Sequence, residues 1–128
     1  MKYLGIDYGT KNVGIAISDD YGKMAFPNTI LANDHKIIEN LKKIVSKNLI
    51  QKIIIGESKN YKMQDNEIMA DIYDIKKILE TDLNMDVDLH PEILTSAEAE
   101  RLQGKNEMID ASAAAIILQS YLDLKNKK

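Results

Sequence analysis

Three carboxylates carry the chemistry this sequence offers: Asp7 in Leu4-Gly-Ile-Asp-Tyr-Gly-Thr-Lys-Asn-Val13, Glu92 just beyond Pro91, and Asp110 in Ile109-Asp-Ala111. Each falls where an element is expected to end or begin. Asp7 closes an apolar run, and Gly9 and Gly14 follow it. Glycine tolerates positive φ and lets a phosphate or a hydrated ion approach the backbone. Open α/β sheets gather their sites at such strand ends. Carboxylates brought together there repel one another and need cations, and hard divalent ions such as Mg²⁺ or Mn²⁺ suit oxygen ligands. Two such ions about 3.5–4 Å apart activate water and stabilise the leaving oxygen in phosphodiester cleavage. Each residue also has a plainer role available: Asp7 begins a turn, Glu92 is solvated in a loop, Asp110 caps a helix. The last does not compete with metal binding, because a helix N-terminus keeps a carboxylate ionised.

The elements that must position these residues alternate in kind. Leu4 to Asp7 and Val13 to Ser18 read as strands, and Met24 to Leu31 as a third, placed at a sheet edge by Pro27, which has no N–H to donate. Asp34 is the expected N-cap of an amphipathic helix traced by Ile37, Ile38, Leu41, Ile44 and Val45. Lys52-Ile-Ile-Ile-Gly56 reads as a strand buried on both faces. Glu57 ends that run and is a reserve ligand if the strand lies beside the first. Ile68, Ile72, Ile75, Ile78 and Leu79 trace a second helix, and Val87 and Leu89 a short strand before Pro91. Thr95-Ser-Ala-Glu98 has the form of a capping box, so Glu98 and Glu100 beside Arg101 read as structural. Small residues from Ala111 give way to Ile116, Ile117, Leu118, Tyr121 and Leu122 in a last helix. The pattern predicts one α/β domain over residues 1–128 with a mixed sheet.

Composition narrows the function. There is no cysteine, which excludes disulfides, thiolate catalysis and Cys-type zinc sites. No apolar run approaches the roughly 18 residues of a membrane span, and no signal peptide opens the chain, so a cytoplasmic protein without membrane contact is expected. The net charge of −3 gives no global pull toward nucleic acid, so such binding has to rest on local cations or bridging metal. Lys11, Lys59 and Lys105 lie where loops could meet a phosphate, although each alone reads as a surface lysine. His35 and His90 form no metal-type spacing.

Three ordered blocks are recognisable: Leu4 to Asp19, Glu92-Ile-Leu-Thr-Ser-Ala-Glu-Ala-Glu-Arg101, and Ile109 to Asp123. Together they resemble the YqgF family of ribonuclease H-like proteins, whose members are named for Holliday junction resolution and for pre-16S rRNA nuclease activity. The resemblance implies a five-stranded mixed sheet flanked by helices and an acidic triad of Asp7, Glu92 and Asp110. It also implies Mg²⁺ or Mn²⁺ as cofactor, and structured RNA or branched DNA as partner of a monomer or weak homodimer. The chain departs from the family where Pro91 and Ile93 flank Glu92 in place of an Asp-Glu-Arg-Leu-Thr run, where Gly56-Glu-Ser58 replaces Gly-Leu-Pro, and in the short Gly104-Lys-Asn-Glu107. Weaker phosphate grip or a changed substrate is the expected effect.

Other functions fit parts of the pattern. Asp7-Tyr-Gly-Thr10 also resembles the first phosphate loop of actin-like sugar kinases and ATPases, which enclose nucleotide between two related domains. A non-catalytic adaptor that kept the fold is the third reading, suggested by the surroundings of Glu92. Cleavage that needs Asp7 separates the first reading from both.

Overall fold

The computed structural model describes residues 1–58, 68–92 and 109–127, with the backbone alone at positions 58, 92, 109 and 110. Five strands, β1 (Tyr3–Tyr8), β2 (Asn12–Ser18), β3 (Ala25–Ala32), β4 (Lys52–Ser58) and β5 (Val87–Glu92), form one sheet in the order β3-β2-β1-β4-β5. The meander β1–β2–β3 is antiparallel, whereas β4 and β5 add to β1 in parallel. Helices α1 (Ile37–Asn48) and α2 (Met69–Leu83) precede β4 and β5, and α3 (Ile109–Asn126) follows them. The mixed α/β sheet expected from the sequence is thus present.

Strand alternation divides the core in two. Leu4 and Ile6 of β1 and Ile53 and Ile55 of β4 face one side, where they meet Leu41 and Val45 of α1 and Ile72 and Leu79 of α2. Burying each such side chain contributes about 1.5–3 kcal/mol, so this thicker layer carries most of the stability. On the other side Tyr3, Ala16 and Ile54 meet Ala114, Leu118 and Leu122 of α3. Gly5 and Ala114 leave no side-chain bulk where the two meet, and the helix lies close to the strands.

Pro27 sits in edge strand β3, as its missing N–H requires. A bulge accommodates it: the register passes from Ile15↔Thr29 to Ala16↔Pro27, which leaves Asn28 unopposed. Three expectations need correction. The N-cap of the first helix is Lys36, not Asp34, and the helix begins at Ile37. The Asp34 carboxylate instead accepts the Lys36 N–H at 2.9 Å, and its carbonyl the Ile37 N–H, so Asp34 shapes the turn before the helix. Next, β4 does not stop at Gly56 but continues to Ser58, paired with β5 from Ile53 onward. Finally, β5 does not stop before Pro91 but ends at Glu92; it too is an edge strand, where a proline costs no ladder bond on the outer side. The capping box Thr95–Glu98, with Glu100 and Arg101, and the loop lysines Lys59 and Lys105 lie outside the described residues.

Candidate active site

Asp7 sits one residue from the end of β1, opposite Gly14 of β2, and is half-buried. Its face follows from its neighbours. Tyr3 packs in the layer under α3, and a Cβ built on Gly5 would stand 2.7 Å from Leu118 Cβ and 3.1 Å from the Ala114 carbonyl oxygen. Two residues further on, alternation brings Asp7 to that same face.

Helix α3 crosses this face against the direction of β1. Its later turns lie over the start of the strand, where the Tyr3 and Tyr121 rings are 6.0 Å apart, and Ala114 and Leu118 lie over Gly5. One helical turn, about 5.4 Å, separates Ala114 from position 110, and two strand residues, about 6.6 Å, separate Gly5 from Asp7. The start of α3 therefore reaches the level of Asp7. Position 110 is the second residue of the helix, within the first turn, where the helix dipole favours negative charge.

Glu92 ends β5 opposite Ser58. Its strand is parallel to β1 with β4 between them, about 10 Å away. Asp88 and His90 both face α3, so position 92 falls on that side too. Positions 7, 92 and 110 thus share one edge and one face of the sheet. Glu57 does not join them. β4 does lie beside β1, but the Ile6↔Ile55 pairing sets Asp7 level with Gly56, whose Cβ would meet Ile117 of α3. Glu57 is one residue out of step, on the α1–α2 side. Among the described residues no group of three His, Asp or Glu side chains is placed to hold a metal, and the side chains at 92 and 110 are outside that description.

A polar lock that sequence spacing did not reveal ties α3 to the two outer parallel strands. The Lys52 ammonium meets the Asp88 carboxylate at 2.9 Å, the Tyr121 hydroxyl donates to the same carboxylate at 3.1 Å, and Lys52 stands 5.8 Å from the centre of the Tyr121 ring. The Lys52 hydrogen bond holds Asp88 below the usual carboxylate range, and Asp88 in turn raises Lys52. Next to it, buried His90 lies 2.9 Å from the Ser120 hydroxyl and edge-on to Tyr121.

Burial lowers the pKa of His90, against a smaller opposing effect of Glu57. A histidine depressed in the folded state favours the neutral ring, so its contribution is complete above the ordinary value of about 6.5 and is lost as pH falls through the folded value. The melting temperature is expected to drop between pH 7 and pH 5, and less so in His90→Gln, which has no ring to protonate. Equal slopes for the two proteins in scanning calorimetry would remove His90 as the cause.

The architecture defines a ribonuclease H-like fold. It aligns with RuvC of Thermus thermophilus at a TM-score of 0.63 and 14% identity, covering 98% of this chain and 96% of that one, and at 0.62 with the same protein in complex with Holliday junction substrate. Such low identity establishes the fold alone. The chain belongs to the RuvX family, described as Holliday junction resolvase, which matches residues 1–124 and bears out the resemblance read from the three blocks. A Sulfurihydrogenibium relative is 32% identical over 130 residues, covering 95% of this chain and 90% of its own, and a Bacillus subtilis relative is 34% identical over 138, covering 98% and 100%. Both carry the name "Putative pre-16S rRNA nuclease".

Proposed function

We propose that this protein is an endonuclease that hydrolyses phosphodiester bonds in structured RNA, with the precursor of 16S ribosomal RNA as substrate and Asp7, Glu92 and Asp110 as its acidic triad. The observation that carries the reading is the shared edge and face of these three positions in a chain of this family. The acidic balance of the sequence does not oppose it, because the site needs cations of its own. Cytoplasmic RNA is consistent with the lack, among the described residues, of any helix long and apolar enough to cross a membrane.

The donor set fits a hard divalent ion. Asp7 supplies carboxylate oxygen on a half-buried face, and Glu92 and Asp110 would complete an all-oxygen set of ligands. Mg²⁺ or Mn²⁺, when bound, would activate water and neutralise charge on the leaving oxygen. The chain's own task is to hold the carboxylates ionised and in register. β1 and β5 fix two of them, and the first turn of α3 favours charge at the third.

Branched DNA is the second reading, favoured by the likeness to a resolvase solved on a Holliday junction. Purified protein, as a monomer or weak homodimer, is to be assayed on precursor 16S rRNA, a four-way DNA junction and plain duplexes, with Mg²⁺, Mn²⁺ or chelator. Metal-dependent cleavage of the rRNA precursor in preference to the others is expected. Preference for the junction would shift the assignment to DNA, and binding without cleavage under every condition would leave a non-catalytic adaptor.

A further inference from the structure

The turn that follows Asp7 is tied both within itself and to a residue beyond β3. Gly9 donates its N–H to the Asn12 carbonyl at 3.0 Å, and a Cβ on Gly9 would stand only 2.6 Å from that oxygen, so this tight turn requires glycine there. A residue just beyond a different strand then fastens it. Asn33, which follows β3, donates its side-chain amide to the Gly9 carbonyl at 2.7 Å and its backbone N–H to the Lys11 carbonyl at 2.9 Å, and it accepts the Tyr8 hydroxyl at 3.3 Å. Three hydrogen bonds from one half-buried residue thus span Tyr8, Gly9 and Lys11.

At the tip of this fastened turn stands Lys11, exposed, with no carboxylate paired to it among the described residues. The turn rims the same edge of the sheet as Asp7, because Asp7 pairs with Gly14 and Tyr8 with Val13 immediately below it. A nucleic-acid strand presenting a phosphodiester to Asp7 must pass this rim. Phosphate contacts set the register of a strand without reading its bases, and a lysine on a fixed backbone suits that task.

We propose that Lys11 contacts a backbone phosphate next to the one that Asp7 serves, and that Asn33 is the positioning residue that holds Lys11 there. This rests on the nuclease reading and names the part of the strand its site grips. The ligand chemistry is the phosphodiester backbone, of RNA or of branched DNA.

The test is equilibrium binding of the full chain in chelator, by fluorescence anisotropy across a KCl series. One probe is a labelled RNA hairpin with a single-stranded extension, the other a labelled four-way DNA junction. Losing one phosphate contact lowers the steepness of log K against log salt by about 0.7 on single-stranded RNA and about 0.9 on duplex DNA. Lys11→Ala is expected to show that loss on the probe that is the substrate, and Lys11→Arg to keep the slope. Asn33→Ala changes no charge, yet is expected to lower the slope in the same way, and the Lys11→Ala/Asn33→Ala double variant to lose nothing more than Lys11→Ala alone. A purely structural role for Asn33 would weaken binding additively. An unchanged slope in Lys11→Ala, an exposed substitution that leaves the fold intact, overturns the proposal, while metal-dependent cleavage by the same variant upholds the nuclease reading. Absence of binding to either probe overturns the proposal, and absence of cleavage with Mg²⁺ or Mn²⁺ separately overturns the nuclease reading.

Discussion

Asp7→Asn is expected to abolish cleavage while leaving the melting temperature unchanged or slightly raised. The substitution keeps shape and removes one negative charge from the edge where positions 92 and 110 also arrive. If these carboxylates cluster without bound cations, relieving their repulsion stabilises the fold even as a metal ligand disappears. Removing only an outer partner of a metal ligand typically costs about 10–100-fold in activity or affinity, so loss of a ligand itself must exceed that. Steady-state cleavage with a titration of Mn²⁺ against wild type measures the effect. A loss under about tenfold, or activity surviving in excess chelator, would sink the assignment and point to a different site.

How much of this was legible in the sequence depended on whether the signal was local. The alternation that puts Leu4 and Ile6 on one face and Tyr3, Gly5 and Asp7 on the other is written in β1 itself, and Pro27 marks its own edge strand. Boundaries were less legible, because the residues that mark them have two uses. Asp34 has the side chain of an N-cap but turns its carboxylate to the Lys36 N–H, one step ahead of the helix. Gly56 resembles a strand end, whereas its missing side chain makes room for Ile117 in mid-strand. That difference moves Glu57 from the start of a loop into β4 and onto the face away from Asp7.

Contacts between distant segments left no trace in spacing. Asn33 reads as one more loop residue until β3 brings it beside Gly9, 24 positions away in sequence. Lys52, Asp88 and Tyr121 come from three elements, and nothing local distinguishes Lys52 from the other strand-flanking lysines. Their lock matters to the site because it fastens the helix that carries Asp110 to the strand that carries Glu92. The three carboxylates were found at element ends by local pattern, but what keeps those ends together lies under α3.

The close seat of α3 leads to the second large effect. Gly5→Val is expected to destabilise the protein strongly and to depress cleavage, although Gly5 never meets substrate. Even one added Cβ would stand 2.7 Å from Leu118 Cβ and 3.1 Å from the Ala114 carbonyl, atoms fixed to the helix backbone that no rotamer change can withdraw. The helix must lift. Overpacking of this kind costs about 1–3 kcal/mol, here at the upper end, which for a chain of this size corresponds to a fall in melting temperature of roughly 5–15 °C. Ala114→Leu, at a fully buried position of the same seam, is expected to cost a similar amount. Gly56→Ala provides the contrast: its Cβ would meet Ile117 Cδ1 at 2.5 Å, the free end of a flexible side chain, so the strain is relieved by rotation and the fall should be smaller. Lifting α3 also carries position 110 away from Asp7, so kcat should fall in Gly5→Val below the melting range, where the protein is still folded. Calorimetry and cleavage rates on the three variants measure both effects. If Gly56→Ala proves as destabilising as Gly5→Val, the side-chain end and not the helix backbone sets the spacing, and α3 does not rest on β1 as rigidly as its contacts with Gly5 indicate.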